Sequence, residues 1–316
     1  MADLAGQMSG SRTVVFSGCG FMGSHLVARL AQAGADVVSF DLDSGGEAPA
    51  GVTSVRGDIT DVGAVRSAIA GAEHILCFAG GLSATRSLMD PVADLDTSAR
   101  AQLLLLEAVR ELAPRASVVM AGSRLEYGAP EYLPVDEKHP LHPTSPYAIH
   151  KMLCSVHYEF FAKAHGLRTC VLRLPNPYGP HAVGGPARAG YGILNLFVDL
   201  ARRGEAIRLY GDGGQLRDFV HVDDVVSATI AASIAPDVAG LAFNVGSGIG
   251  TSLRSAADLV VDLCGSGTVL DGDPWPADAA SVETGDFYFD VSLARETLDW
   301  EPRISLREGL TGILAR

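Results

Sequence analysis

Strand-length apolar runs that alternate with longer amphipathic stretches set the tightest limit on how this chain can fold. The runs are TVVFSG, ADVVSFD, HILCFAG, SVVMAGS and TCVLRLP, and stretches such as SHLVARLAQAG and ARAQLLLLEAVRELA fall between them with apolar residues at helical spacing. Strands separated by helices pair in parallel, because each return along the sheet needs a crossover, and the helices cover sheet faces that are apolar on both sides. The expected class is α/β, a doubly wound parallel sheet followed by a smaller C-terminal α/β lobe. The texture changes at the Pro/Gly-rich stretch from Leu174 to Gly192. Beyond it the pattern predicts a helix near Gly192 to Arg203, a strand IRLYG, a strand-to-helix passage FVHVDDVVSATIAAS and a helix around Leu293 to Leu298. The expected boundaries are 12–174 and 175–316, with segments near 217–245 returning to the first domain.

At 316 residues the chain is large enough for two coupled lobes, and its 47% hydrophobic and 19% charged residues are those of a globular protein rather than a disordered or fibrous one. A formal charge of −13, with no basic run, repels polyanions and argues against nucleic acid as a partner. The cysteines, Cys19, Cys77, Cys154, Cys170 and Cys264, are scattered and form no CxxC pair, as expected of reduced thiols in a cytoplasmic protein. The opening MADLAGQMSGSR has no basic region followed by an apolar run and is expected to be frayed up to about Ser11. No window reaches the apolar length of a membrane span.

Gly18, Gly20 and Gly23 lie in VVFSGCGFMGSHLVARL, directly after a strand and at the opening of a helix. In that setting one glycine permits a tight turn, another lets backbone approach a pyrophosphate, and Gly23 lets the helix pack closely, leaving its N-terminus to hold phosphate. The first domain is therefore expected to be of Rossmann type. Asp41 closes the next strand, at the spacing where a carboxylate accepts hydrogen bonds from an adenosine ribose; there it would repel a 2′-phosphate, favouring NAD over NADP. Phe21 and Met22 in the same turn, and Asp58 and Ile59 after a third strand, complete the expected cofactor contacts. Asp58 in RGDITD reads almost equally well as a turn or helix-cap residue.

Tyr147 and Lys151, in SPYAIHK, are four apart in a segment whose continuation looks helical, so both project from one face. A tyrosine of unperturbed pKa about 10 is a poor base at neutral pH; an adjacent ammonium favours its phenolate and equips it to shuttle the proton of a carbinol that loses hydride. Ser123 ends the strand SVVMAG, at the edge where open parallel sheets place their chemistry, and its hydroxyl suits a bridge between substrate oxygen and tyrosine. Ser123, Tyr147 and Lys151 are the expected catalytic set.

In order along the chain, GCGFMGSHL, RGDITD, SRLEYG, SPYAIHK, LRLPNPYGP, LYGDGGQLRDFVHVDD, FNVGSG and LDWEPRISLREGL resemble the extended short-chain dehydrogenases/reductases, the nucleotide-sugar epimerases and dehydratases, over nearly the whole sequence. The resemblance implies that the first lobe binds NAD, the second binds a nucleoside-diphosphate sugar (UDP- or dTDP-linked), and the two chains of a homodimer meet through helices. Arg217 matches the arginine that grips the substrate diphosphate, although an ion pair with Asp218 or Asp223 also fits it. Asn176 matches an asparagine near the phosphates, and Asn195 is a further substrate contact. For the dimer, the leucine run Leu103 to Leu106 is the candidate face, with a thick monomer core as the alternative.

The sequence also departs from the family pattern. Ser17 stands where the family's first glycine does. Arg124 and Leu125 stand where the 4,6-dehydratases carry Asp and Glu, and uronate decarboxylases also place Glu at the second position; elimination and decarboxylation therefore lack their acid and base. His150, Cys154 and His157 share a helical spacing, but helix packing explains them more simply than zinc, and no metal is expected. The leading expectation is an NAD-dependent epimerase acting at C4 of a nucleotide sugar through a transient 4-keto sugar. A ketoreductase of NDP-4-keto-6-deoxy sugars using NAD(P)H, and a non-catalytic dinucleotide-binding protein, are the alternatives.

Overall fold

A computed structural model describes residues 4–43, 49–81, 83–180 and 192–315. The first half runs β1 (Arg12–Phe16), α1 (Phe21–Gln32), β2 (Asp36–Asp41), β3 (Val52–Arg56), α2 (Val62–Ile69), β4 (His74–Cys77), α3 (Ala84–Met89), α4 (Pro91–Leu95), α5 (Ala101–Leu112), β5 (Ser117–Ser123), α6 (Pro146–His165) and β6 (Arg168–Leu174). It continues with β7 (Asn176–Tyr178), α7 (Gly192–Arg202), β8 (Ala206–Tyr210), β9 (Leu216–His221), α8 (Val222–Ile234), β10 (Ala242–Asn244), β11 (Gly250–Ser252), α9 (Leu253–Cys264), β12 (Thr268–Asp273), α10 (Ala277–Ser281), α11 (Ser292–Leu298) and α12 (Leu306–Leu314).

Seven strands form one parallel sheet in the order β10-β6-β5-β4-β1-β2-β3. The order reverses between β1 and β4, which opens the crevice where such sheets bind ligands. Apolar side chains pack both faces: Leu26, Leu30, Val226 and Ile230 belong to one core, and Val65, Ile69, Leu105, Val109, Tyr158 and Phe161 to the other. β5 is buried along its whole length, as an inner parallel strand requires. Thus the sheet is doubly wound, as the alternation of runs predicts. β10, from far along the sequence, pairs with β6 and closes that side of the sheet.

A separate core gathers Phe197, Val198, Ile207, Leu209, Val260, Leu310 and Ile313 from α7, β8, α9 and α12. Two small sheets, β11-β9-β7 and β12-β8, complete this part. α9 and α12 were not anticipated from the sequence. Both start at a serine whose hydroxyl accepts a backbone N–H, Ser252 and Ser305, and the Ser305/Glu308 pair forms a reciprocal capping box, a signal the sequence does carry.

One expectation is corrected. The leader is ordered from Leu4: residues 4–8 form a 3-10 turn in which Ala5 and Met8 are buried against the α1–α8 face of the sheet. In the leucine run Leu105 and Leu106 point into the core, and Leu103 and Leu104 are half-buried. An exposed apolar stripe lies on α6, at Ile149, Leu153, Val156 and Phe160. Residues 1–3, and 181–191 of the Pro/Gly-rich stretch, lie outside the described residues.

Candidate active site

The glycine turn joins β1 to α1. Ser17 adopts φ +60°, the left-handed backbone that glycine takes without penalty, so the turn keeps its shape with a serine in the family's glycine position. A Cβ at Gly18 would collide with the Ser39 hydroxyl, and one at Gly23 with the Ser17 carbonyl, which explains why these positions are bare. α1 begins at Gly20 without a side-chain cap, the kind of helix start that suits a phosphate. Asp41 reaches into the same turn, its Oδ2 accepting the Cys19 N–H at 2.9 Å. A bare, uncapped turn with a carboxylate beside it suits a dinucleotide. Phe21 and Met22 are half-buried at the head of α1, and Ile59 is buried in the core below. Asp58 accepts the Thr60 N–H and hydroxyl, both at 2.8 Å, which is the turn-cap role.

The other end of the site hangs on β5 and α6. α6 starts sharply because Ser145 caps it and Pro146 presets its first residue, and it stops at Gly166 in the left-handed conformation. This sets Tyr147 in the first turn and Lys151 one turn later. Lys151 is buried, and its Nζ donates to the Ala121 carbonyl of β5 at 2.9 Å while standing 5.9 Å from the centre of the Tyr147 ring. Burial opposes its charge, but the charges available on Tyr147, Cys154, Cys77 and Glu126 outweigh burial and hold the ammonium above its ordinary value. Tyr147 is fixed by its backbone N–H, which donates to Ser87 Oγ at 3.0 Å, and by Gly81, where a Cβ would sit 2.5 Å from the ring.

Ser123 closes β5 and caps the turn 124–126. Its hydroxyl accepts the Leu125 N–H at 3.2 Å, and its own N–H donates to Glu126 Oε1 at 2.8 Å. Glu126 is fully buried and also accepts Ser155 Oγ at 2.7 Å and Arg173 Nε at 2.9 Å. Arg173 continues to the Tyr127 hydroxyl, which donates to Asn244 Oδ1 of β10. The sequence reading missed this network, although S-x-x-E in SRLEYG has capping-box spacing.

Across the cleft, Arg217 pairs with neither Asp218 nor Asp223. Its Nη2 donates to both oxygens of Glu283 at 2.6 Å, and its Nη1 donates to the Leu216 and Gly285 carbonyls. Asp218 is buried and takes N–H groups from Ser247, Gly248 and Phe289; burial pushes its carboxyl up, against these hydrogen bonds. Asn176 donates to the Asp218 carbonyl at 2.9 Å. Asn195 is not placed as a substrate contact: it is buried, with both ends of its amide engaged by the Gly179 backbone. His150, Cys154 and His157 on α6 have different surroundings, and among the described residues no His/Cys/Asp/Glu group is arranged to hold a metal. His150 pairs with buried Asp94 at 2.6 Å, and Cys154 sits in the core with its thiol pushed up to about 12 by burial. A cavity of about 660 Å³ between α1, α8 and residues 299–304 contains none of Ser123, Tyr147 and Lys151 and is no part of this site.

A bare glycine turn, Ser123 at the end of β5 with Tyr147 and Lys151 on α6, and a reversed strand order accompany a match of residues 14–246 to the NAD dependent epimerase/dehydratase family model. The chain belongs to this family, and its cofactor is NAD. It is 30% identical to a UDP-glucose 4-epimerase of Mycolicibacterium smegmatis over 95% of this chain and 96% of that one. Among solved structures, the UDP-glucose 4-epimerase of Thermotoga maritima with UDP-glucose superposes with a TM-score of 0.87 at 29% identity, covering 96% of this chain and 97% of that one. The Thermus thermophilus UDP-glucose 4-epimerase complex with NAD gives 0.84 at 28%, covering 96% and 98%. No helix among the described residues is long and apolar enough to cross a membrane.

Proposed function

We propose that the chain is a nucleotide-sugar epimerase that inverts C4 of a UDP- or dTDP-linked hexose through a transient 4-keto sugar. The observation that carries the reading is the buried Lys151 bonded to Ala121, two residues before Ser123, on the helix that presents Tyr147. Gly18, Gly20, Gly23 and Asp41 hold NAD, which when bound supplies a hydride acceptor and donor. Tyr147 takes the C4 hydroxyl proton and later returns it. Lys151, kept charged, stands beside the Tyr147 ring, and Ser123 holds the carbinol oxygen. Arg124 and Leu125 stand beside Ser123 and offer no carboxylate for elimination, which favours epimerisation over dehydration. Arg217 and Asn176 anchor the diphosphate, Arg217 by exchanging Glu283 for phosphate oxygens. The lobes divide near 174, with α8 and β10 returning to the first, and the α6 stripe supports a homodimer, which sedimentation velocity tests.

The deciding experiment incubates purified protein with UDP-sugars and no added cofactor and follows the C4 epimer. Conversion, abolished by Tyr147→Phe with NAD still bound, is the expected result. Turnover only of 4-keto sugars with added NAD(P)H would replace the epimerase with the ketoreductase reading. No conversion of either substrate would leave a dinucleotide-binding protein.

A further inference from the structure

Arg124, next to Ser123, is a cation without an ion-pair partner among the described residues. Its Nη1 donates to Thr284 Oγ1 at 2.8 Å and its guanidinium lies over the Phe287 ring, 5.1 Å from the centroid; among the described residues it forms no ion pair. The neighbouring carboxylates are already engaged. Glu283 is bound through both oxygens by Arg217, and Asp218 accepts Ser247, Gly248 and Phe289. A guanidinium carries five N–H donors, and Arg124 spends one of them, on a neutral oxygen. Burial, and then the like charge of Arg217, lower its pKa to about 10, which still leaves it charged at neutral pH. Although deep, it keeps partial access to solvent. A desolvated cation in that position is costly until an anion meets it.

The place of this charge in the chain is informative. Arg124 directly follows Ser123 and belongs to the turn that Ser123 caps, so one turn sets both the hydroxyl assigned to the reacting oxygen and the free guanidinium. Thr284 and Phe287, from the segment that also supplies Glu283, brace the guanidinium from the opposite side.

Resting on the reading of the site as a nucleotide-sugar epimerase, we propose that Arg124 is a specificity-determining residue that receives a carboxylate on the sugar, so that the substrate is a nucleoside-diphosphate uronate. The C6 carboxylate of a hexuronate lies two bonds from the reacting C4. Its planar, anionic pair of oxygens matches the open donors of the guanidinium, whereas a neutral hydroxymethyl group leaves the cation unpaired. In the loaded site each arginine then has its own anion, diphosphate at Arg217 and carboxylate at Arg124.

The test compares UDP-glucuronic acid with UDP-glucose, both for C4 conversion and for binding by calorimetry, in wild type and in Arg124→Lys, Arg124→Met and Thr284→Val, with retained NAD as the check on folding. The wild type is expected to favour the uronate by about 10- to 100-fold in kcat/KM, the value of one charge-assisted hydrogen-bonded pair. Arg124→Met is expected to bring that ratio near one, mainly through KM for the uronate. Arg124→Lys should keep part of the ratio, and Thr284→Val should reduce it a few-fold. A wild-type ratio of one or below overturns the proposal and leaves the epimerase reading intact; so does an Arg124→Met variant that folds and loses both sugars equally. If Arg124→Met fails to retain NAD, the wild-type ratio and the lysine variant decide. Failure of both sugars to bind or react overturns the proposal together with the reading beneath it.

Discussion

Replacing Glu126 by Gln removes a charge from a carboxylate that is fully buried and holds three donors, the Ser123 N–H, the Ser155 hydroxyl and Arg173 Nε. The amide keeps the shape, but however it is turned its NH2 group faces at least one of those donors. Arg173, whose side chain is 7% exposed, is left without its counter-ion. Breaking a buried pair in this way costs about 3–5 kcal/mol. At roughly 2 °C per kcal/mol for a chain of this size, the apparent Tm should fall by roughly 6–10 °C at fixed NAD concentration. Because Glu126 holds the Ser123 backbone, kcat should fall as well. The control is the double variant Glu126→Gln/Arg173→Met, which removes the orphaned charge and should be more stable than the sum of the single losses by about 2 kcal/mol. Differential scanning calorimetry of the four proteins measures both quantities. A single-variant Tm within 2 °C of wild type (about 1 kcal/mol), or strict additivity in the cycle, refutes the assignment of Glu126 as the charge that holds this network.

Gly81→Ala puts a methyl 2.5 Å from the Tyr147 ring at a residue with φ +78°, so the tyrosine must shift; kcat should drop by about 10- to 100-fold with NAD still bound, and an unchanged kcat would contradict the packing. Burial lowers the pKa of His74 below 6.5, helped by Arg168, and burial also lowers that of His157, so in the fold both take up their protons at lower pH than in the unfolded chain, which does so near pH 6.5. Their contribution is complete above that pH and is lost as pH falls through the window beneath it. Glu137 and Asp224, raised by burial, act in the opposite sense. The comparison is therefore with His74→Asn, whose Tm should decline less than wild type between pH 7.5 and 5.5; equal declines would reject the histidine as a cause.

Much of the fold was legible because parallel strands and their crossovers write a local signature, apolar runs against amphipathic stretches, that any window of the sequence displays. The glycine turn, Asp41 and the Tyr147/Lys151 spacing were legible for the same reason, since each is a relation between near neighbours. What was hidden depends on contacts across the chain. Glu283 meets Arg217 over 66 residues, and nothing in SVETGDF marks it as a partner. The amide of Asn195, expected at the substrate, is engaged by the Gly179 backbone sixteen residues earlier. The burial of Met8 followed from its contact with α8, more than 200 residues away, which includes the Ser233 hydroxyl donating to its sulfur. Ser17 differs from these cases: its identity departs from the glycine pattern while its backbone conformation does not.

The pairing of β10 with β6 bears on attempts to make chimeras. A module cut after Leu174 would lack the strand that covers one side of β6 and the helix α8, and would leave the apolar residues beneath α8 without partners. The ladder edge so exposed is a template for pairing with other chains. Exchanging the second half between relatives therefore calls for two junctions rather than one, with the donor segment interrupted so that α8 and β10 remain with the sheet they cover and extend.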